Sequence, residues 1–199
     1  ENPQDLRLLL ALSSAYNQAK EFDLALHYLQ QALPSQANAK AKVVDSELLG
    51  GLYRERGNAQ QGLGQFALAA KDFQSAVVLL PNDAKTQNSL GLNYALLQDY
   101  APARRAFIAA LASQPESLEY RNNLALAWIL DNAPQQGIDV LHRHYLRGRS
   151  TVKSRQNLAL AFAMKGDLES AKVIASQDLN KAELENNLMY YKSLHEVVR

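Results

Sequence analysis

Four histidines, His27, His142, His144 and His195, are the side chains best suited to proton transfer or metal ligation near neutral pH. Only two are neighbours in sequence. His142 and His144 lie two apart on a stretch that reads as helix, about 200° around its axis, so one metal ion cannot take both. The chain has no cysteine, which removes disulfides, thiolate metal sites and cysteine nucleophiles. It contains no H-E-x-x-H, no P-loop and no G-x-S-x-G. Gly62-Leu63-Gly64 sits before Gln65-Phe66 and reads as turn chemistry rather than a phosphate cradle. Carboxylates are scattered between apolar positions. No catalytic residue, metal site or cofactor is assigned, and the expectation is a protein that is not an enzyme.

Two patterns point to binding instead. Side-chain amides recur in Asn88-Ser89-Leu90-Gly91-Leu92, Asn122-Asn123-Leu124-Ala125-Leu126 and Gln156-Asn157-Leu158-Ala159-Leu160, each segment starting 34 residues after the last. Amides both donate to and accept from a peptide backbone, and leucines beside them can take its side chains. The second pattern is a basic cluster, Arg143, Arg147, Arg149, Lys153 and Arg155, with no acid among them. It could meet an acidic partner segment or anionic headgroups, or be only a solvated turn. Nucleic acid is a poorer fit: 21 basic against 20 acidic residues give net +1, and the cluster has little aromatic interleaving.

The elements that must position these residues follow from composition and period. In 199 residues, Leu (34) and Ala (30) far outnumber the 15 Val, Ile and Thr, which predicts an all-α protein. The longest apolar runs are seven residues, against the roughly 20 that a membrane-spanning helix needs. A 34-residue period is that of the tetratricopeptide repeat, W-x₂-L-G-x₂-Y, A-x₃-F, P. Residues 84–117 match best, with Gln87 at the aromatic position, then Leu90, Gly91, Tyr94, Ala103, Phe107 and Pro115. The chain resembles the tetratricopeptide (TPR) family.

The lattice places repeats at 6–39, 50–83, 84–117, 118–151 and 152–185, with an insert at 40–49. The fold expected is a single TPR α-solenoid, a right-handed superhelix of helix–turn–helix repeats. The insert, which has no Pro and no Gly, reads as about three extra turns leading into the second repeat, with a looped connection as the alternative. Residues 182–199 carry Leu184, Leu188, Tyr191, Leu194 and Val198 at amphipathic spacing and read as a capping helix.

In TPR proteins the first helix of each repeat lines a concave groove. The resemblance maps that groove onto Lys85, Asn88, Ser89, Leu92 and Leu96, then Glu119, Asn122, Asn123, Leu126 and Leu130, then Lys153, Gln156, Asn157, Leu160 and Met164. It implies a peptide or helix of a partner protein as ligand, with Asn88, Asn122 and Gln156 facing solvent in the free protein. Arg143, Arg147, Arg149 and Arg155 would form a basic contact patch beside it.

A narrower likeness lies in the last third. Ser154-Arg155-Gln156-Asn157-Leu158-Ala159-Leu160-Ala161, Gly166-Asp167-Leu168, Ala171, Ile174-Ala175 and Gln177-Asp178-Leu179 are similar to the C-terminal block of TadD-like proteins. Asn187-Leu188 and Tyr190-Tyr191 continue it. Those are TPR lipoproteins of bacterial tight-adherence (Flp) pilus assembly. The resemblance implies a periplasmic adaptor held at the outer membrane by a lipid anchor upstream of this chain. It would be pilotin-like toward the secretin, or bind another pilus component. The alternative is a cytoplasmic chaperone or adaptor for segments of secretion substrates or protein complexes.

Overall fold

The computed structural model describes residues 5–33 and 45–197. Among them every regular element is an α-helix, eleven in all. The chain divides into two compact units, residues 1–114 and 115–199.

The first unit holds three antiparallel hairpins. They are α1 (Leu6–Gln18) with α2 (Phe22–Ala32), α3 (Ser46–Gly62) with α4 (Phe66–Leu79), and α5 (Ala84–Leu96) with α6 (Tyr100–Ser113). The second holds α7 (Leu118–Leu130) with α8 (Pro134–Leu146), α9 (Val152–Met164) with α10 (Leu168–Ala175), and α11 (Lys181–Val197). This is the all-α TPR repeat fold that the period predicts.

The same lattice fixes where helices begin and how hairpins turn. Asp83, Ser117 and Thr151, each 34 residues apart, N-cap α5, α7 and α9 by accepting from the backbone N–H of Thr86, Tyr120 and Ser154. Capping satisfies donors that the first helical turn leaves open. Inside each hairpin, one residue takes a positive φ: Lys20 at 63°, Gly64 at 74°, Gln98 at 60°, Asn132 at 54° and Gly166 at 85°. From 64 onward these too are 34 apart. Only two of the five are glycine, although φ > 0 is strained for a side chain with a Cβ.

Packing within a hairpin pairs a small residue on the first helix with a large one on the second. A Cβ at Gly57 would lie 2.8 Å from the Phe73 ring, and one at Gly91 2.6 Å from the Phe107 ring. Phe73 and Phe107 are fully buried, flanked by Ala69, Ala103 and Ala110. In the second unit the equivalent positions are Ala125 and Leu141, so a methyl has been gained on one helix and a ring lost on the other. Gly91 and Ala103 thus let α5 and α6 approach around Phe107. Tyr94 reaches the preceding hairpin, where it packs against the Phe73 cluster and its hydroxyl accepts from Gln74 Nε2 at 2.7 Å. Helix α6 ends at Ser113, just before Pro115.

Helix α3 starts at Ser46, N-capped by the Asp45 carboxylate, so residues 46–49 of the insert add one turn to the first helix of the second repeat. Residues 40–44 lie outside the described residues. At the other end, Asn180 Oδ1 accepts from the N–H of Ala182 and Glu183, while Glu183 accepts from Asn180 N–H, so α11 begins on a reciprocal cap. It lies on α9 and α10, burying Tyr191 and half-burying Leu184 and Leu188. The side chains of Leu194 and Val198 fall outside the described residues.

Candidate functional site

The amide positions do not behave as a set. Asn88 and Asn122 are 7 % and 3 % exposed, whereas Gln156 is exposed. The expectation that all three face solvent is therefore overturned for Asn88 and Asn122. The reason is visible on the adjacent first helices α7 and α9: Asn157 Nδ2 donates to Asn122 Oδ1 at 3.0 Å, tying one repeat to the next. Amides that stitch neighbouring repeats also occur in the first unit, half-buried at Asn17 and fully buried at Asn93. Asn17 Nδ2 donates to the backbone and carboxylate of Glu55, and Asn93 Nδ2 to the carbonyl of Phe66. A polar group so buried is kept by its partners.

What remains accessible among the mapped residues is narrower. On α5, Lys85 is exposed and Leu92 half-buried. On α7 and α9, Lys153 and Gln156 are exposed, while Asn123, Leu126 and Leu160 are half-buried. Leu160 rests partly on the core of its own unit. One turn beyond Leu92 and Leu126, Leu96 is 53 % and Leu130 50 % exposed, at equivalent repeat positions. The first helices α5 and α7 thus present a leucine to solvent at their C-terminal ends, with an exposed lysine near the start of α5 and of α9.

The basic cluster also divides. Arg143 and Arg147 are exposed, and Arg149 makes an open ion pair with Glu116 at 3.1 Å. Arg155 is engaged within the chain. Its Nε and Nη2 grip Asp178 at 2.7 and 2.5 Å, and its Nη1 donates to Ser150 O at 2.9 Å. The guanidinium holds the Asp178 carboxyl below the usual carboxylate range, although burial acts against it.

The sequence reading missed what the residues at the aromatic position of the repeat do. Gln87, Arg121 and Arg155 stand 34 apart there, and each reaches back to the turn before its own helix. Gln87 donates to Pro81 O, Arg121 to Pro115 O and Arg155 to Ser150 O. The signal was present as three long polar donors in register where an aromatic was expected.

Among the described residues no group of three or more acidic or histidine side chains could hold a metal ion, and no helix is long and apolar enough to cross a membrane.

No protein-family model matches the sequence, and no curated protein sequence matches it either. Solved structures do resemble it in fold. The nearly identical TPR-like repeats of a kinesin light chain from Podosopora anserina superpose with a TM-score of 0.74 at 18 % identity, covering 89 % of this chain and 94 % of that one. MamA from Desulfovibrio magneticus RS-1, residues 41 to its end, gives 0.68 at 21 % identity over 97 % of each chain. MamA of AMB-1 gives 0.70 at 19 % identity over 90 % of this chain and 98 % of that one. These likenesses define a TPR-like repeat protein.

Proposed function

We propose that the chain is a non-catalytic adaptor that binds a segment of a partner protein on its first-helix faces. The observation that carries this reading is the pair of half-exposed leucines, Leu96 and Leu130, at equivalent positions of the repeat. Each continues a stripe from Leu92 or Leu126, and the same faces carry accessible polar side chains toward their N-terminal ends, Lys85 on α5 and Lys153 with Gln156 on α9, which packs beside α7. Apolar surface of this kind, rimmed by polar groups, suits a peptide or helix that brings its own side chains.

The more specific proposal is a part in Flp (tight-adherence) pilus assembly, pilotin-like toward the outer-membrane secretin, in the periplasm and attached through an upstream lipid anchor. It rests on the TadD-like pattern of residues 154–191. A photo-crosslinking side chain at 126 or 130, in the protein expressed from its own gene, tests both levels. Crosslinks to a secretin or pilus subunit support the specific reading. Crosslinks to a cytoplasmic secretion substrate move the adaptor to the other compartment. Crosslinks no stronger than those from exposed Val173 on α10 would remove the first-helix faces from any interface.

A further inference from the structure

The second unit is asymmetric in charge along its helices. Helix α8 ends and α9 begins at a turn where residues 146–149 and 151–153 are all exposed. Two apolar side chains stand there, Leu146 at 70 % and Val152 at 50 % exposure. Arg147 and Lys153 are their neighbours in the chain, and Arg143 lies one turn back on α8. These three cations are exposed and make no ion pair among the described residues, and no acid occurs from 140 to 166. The acids at this end are Glu116, paired with Arg149, Glu119 near the start of α7, and Glu183, which accepts from Asn180 N–H in the cap of α11. The opposite end of the hairpins also exposes a leucine, Leu130, but its exposed charges are mostly acidic: Asp131, Asp167 and Glu169 beside Lys165.

The turn offers side chains and little backbone. Gly148 and Arg149 N–H return to the carbonyls of Tyr145 and His144. Thr151 N–H donates to Ser154 Oγ, and Ser150 O accepts from Arg155. A partner peptide would find few free peptide groups to pair with. A bilayer surface asks for the opposite: backbone already satisfied, apolar side chains free to enter among the acyl chains, and cations beside them for the phosphates.

We propose that this end of the second unit docks on an anionic lipid bilayer, with Leu146 and Val152 entering the headgroup boundary and Arg143, Arg147 and Lys153 against lipid phosphates. The proposal goes beyond the adaptor reading, because the folded chain itself touches the membrane, apart from any upstream anchor.

The full chain has no cysteine, so a thiol-reactive label goes to one chosen place. Leu146→Cys carrying an environment-sensitive nitrobenzoxadiazole is titrated with phosphatidylcholine vesicles, with and without about 30 % phosphatidylglycerol. Leu130→Cys with the same label reports the opposite end. The label at 146 is expected to brighten and shift to the blue with the anionic vesicles only, and the label at 130 to stay unmoved. Arg143→Gln combined with Arg147→Gln should lower partitioning by about tenfold or more, since each cation near a charged bilayer contributes several-fold. Both residues are exposed, so the melting curve should stay in place. A label at 146 that answers neutral vesicles equally, or moves no more than the one at 130, overturns the proposal, as does a double variant that binds undiminished. A larger response to polyglutamate than to the anionic vesicles assigns the patch to an acidic polypeptide and overturns the choice of lipid. None of these results depends on the crosslinks from residues 126 and 130, so the docking surface and the adaptor reading can fail separately.

Discussion

Arg155 and Asp178 form a two-pronged ion pair at 2.7 and 2.5 Å between α9 and the turn that follows α10, with side chains only 19 % and 7 % exposed. Removing one partner of such a pair leaves a poorly solvated charge behind. Arg155→Ala is therefore expected to destabilise the protein by about 3 kcal/mol in urea unfolding. The double change Arg155→Met with Asp178→Leu should recover most of that loss, since apolar replacements of similar volume avoid desolvation altogether.

The same carboxylate sets part of the acid limit. Asp178 is held below its ordinary range chiefly by the hydrogen bonds from Arg155. For Asp83, burial pushes upward, but Thr86 and Arg54 outweigh it and the net shift is also downward. A carboxyl whose folded value is depressed contributes stability that is complete above its unfolded value, about 3.9, and is lost as pH falls through the folded one. Melting temperature should thus drop between about pH 5 and pH 3, and Asp178→Asn should fall less steeply over that window. Parallel slopes would show that the acid limb has another source.

Gly91 and Phe107 offer a test of how the repeat is packed. A methyl at 91 meets the ring at 2.6 Å, so Gly91→Ala should cost about 1–3 kcal/mol by overpacking. Phe107→Leu alone should cost about 1–2 kcal/mol by leaving space. Together they recreate the Ala125 and Leu141 pair of the next repeat, and the double mutant should be more stable than the sum of the two losses allows. Additive losses in a denaturant-based cycle would refute this complementarity.

Period 34 made most of this fold legible. It placed five hairpins, because a repeat that needs the same turn needs it at the same position, as 64, 98, 132 and 166 show. It could not say which side chains were spent on packing. Arg155 looked like a member of a basic cluster because its acid, Asp178, is 23 residues away in sequence and adjacent only in space. Asn122 looked like Gln156 because both occupy one lattice position. Asn122 is covered because a further hairpin brings Asn157 to it, whereas α9 is followed by α11, with Tyr191 where another amide would stand. Repeat equivalence is a statement about backbone; burial depends on the neighbour.

The left-handed turn residues give a prediction in the stabilising direction. Gln98 holds φ at 60° and Asn132 at 54°. Asparagine tolerates that region better than glutamine. Gln98→Gly is expected to stabilise by about 0.5–1 kcal/mol, the strain relieved exceeding the entropy of the added glycine, and Asn132→Gly by less. A denaturation midpoint that falls for Gln98→Gly would mean that the turn carries no strain to relieve.

The amides, finally, separate stitching from recognition. Asn122→Ala removes the acceptor for Asn157 Nδ2 and should cost about 1 kcal/mol of stability, since Asn157 is half-buried and water replaces only part of the bond. Gln156→Ala, at the same repeat position but exposed, should leave the melting curve in place or raise it slightly, alanine being the better helix former. If the α7 and α9 face holds a peptide backbone, Gln156→Ala should weaken partner binding by about 0.5–1.5 kcal/mol, up to tenfold in Kd. Both variants measured side by side, by unfolding and by titration with the crosslinked partner, give four outcomes. A Gln156→Ala protein that is destabilised would place that amide in the packing after all. One that is stable and binds with unchanged Kd would take Gln156 out of the interface and leave Leu126, Leu130 and Lys153 to carry it.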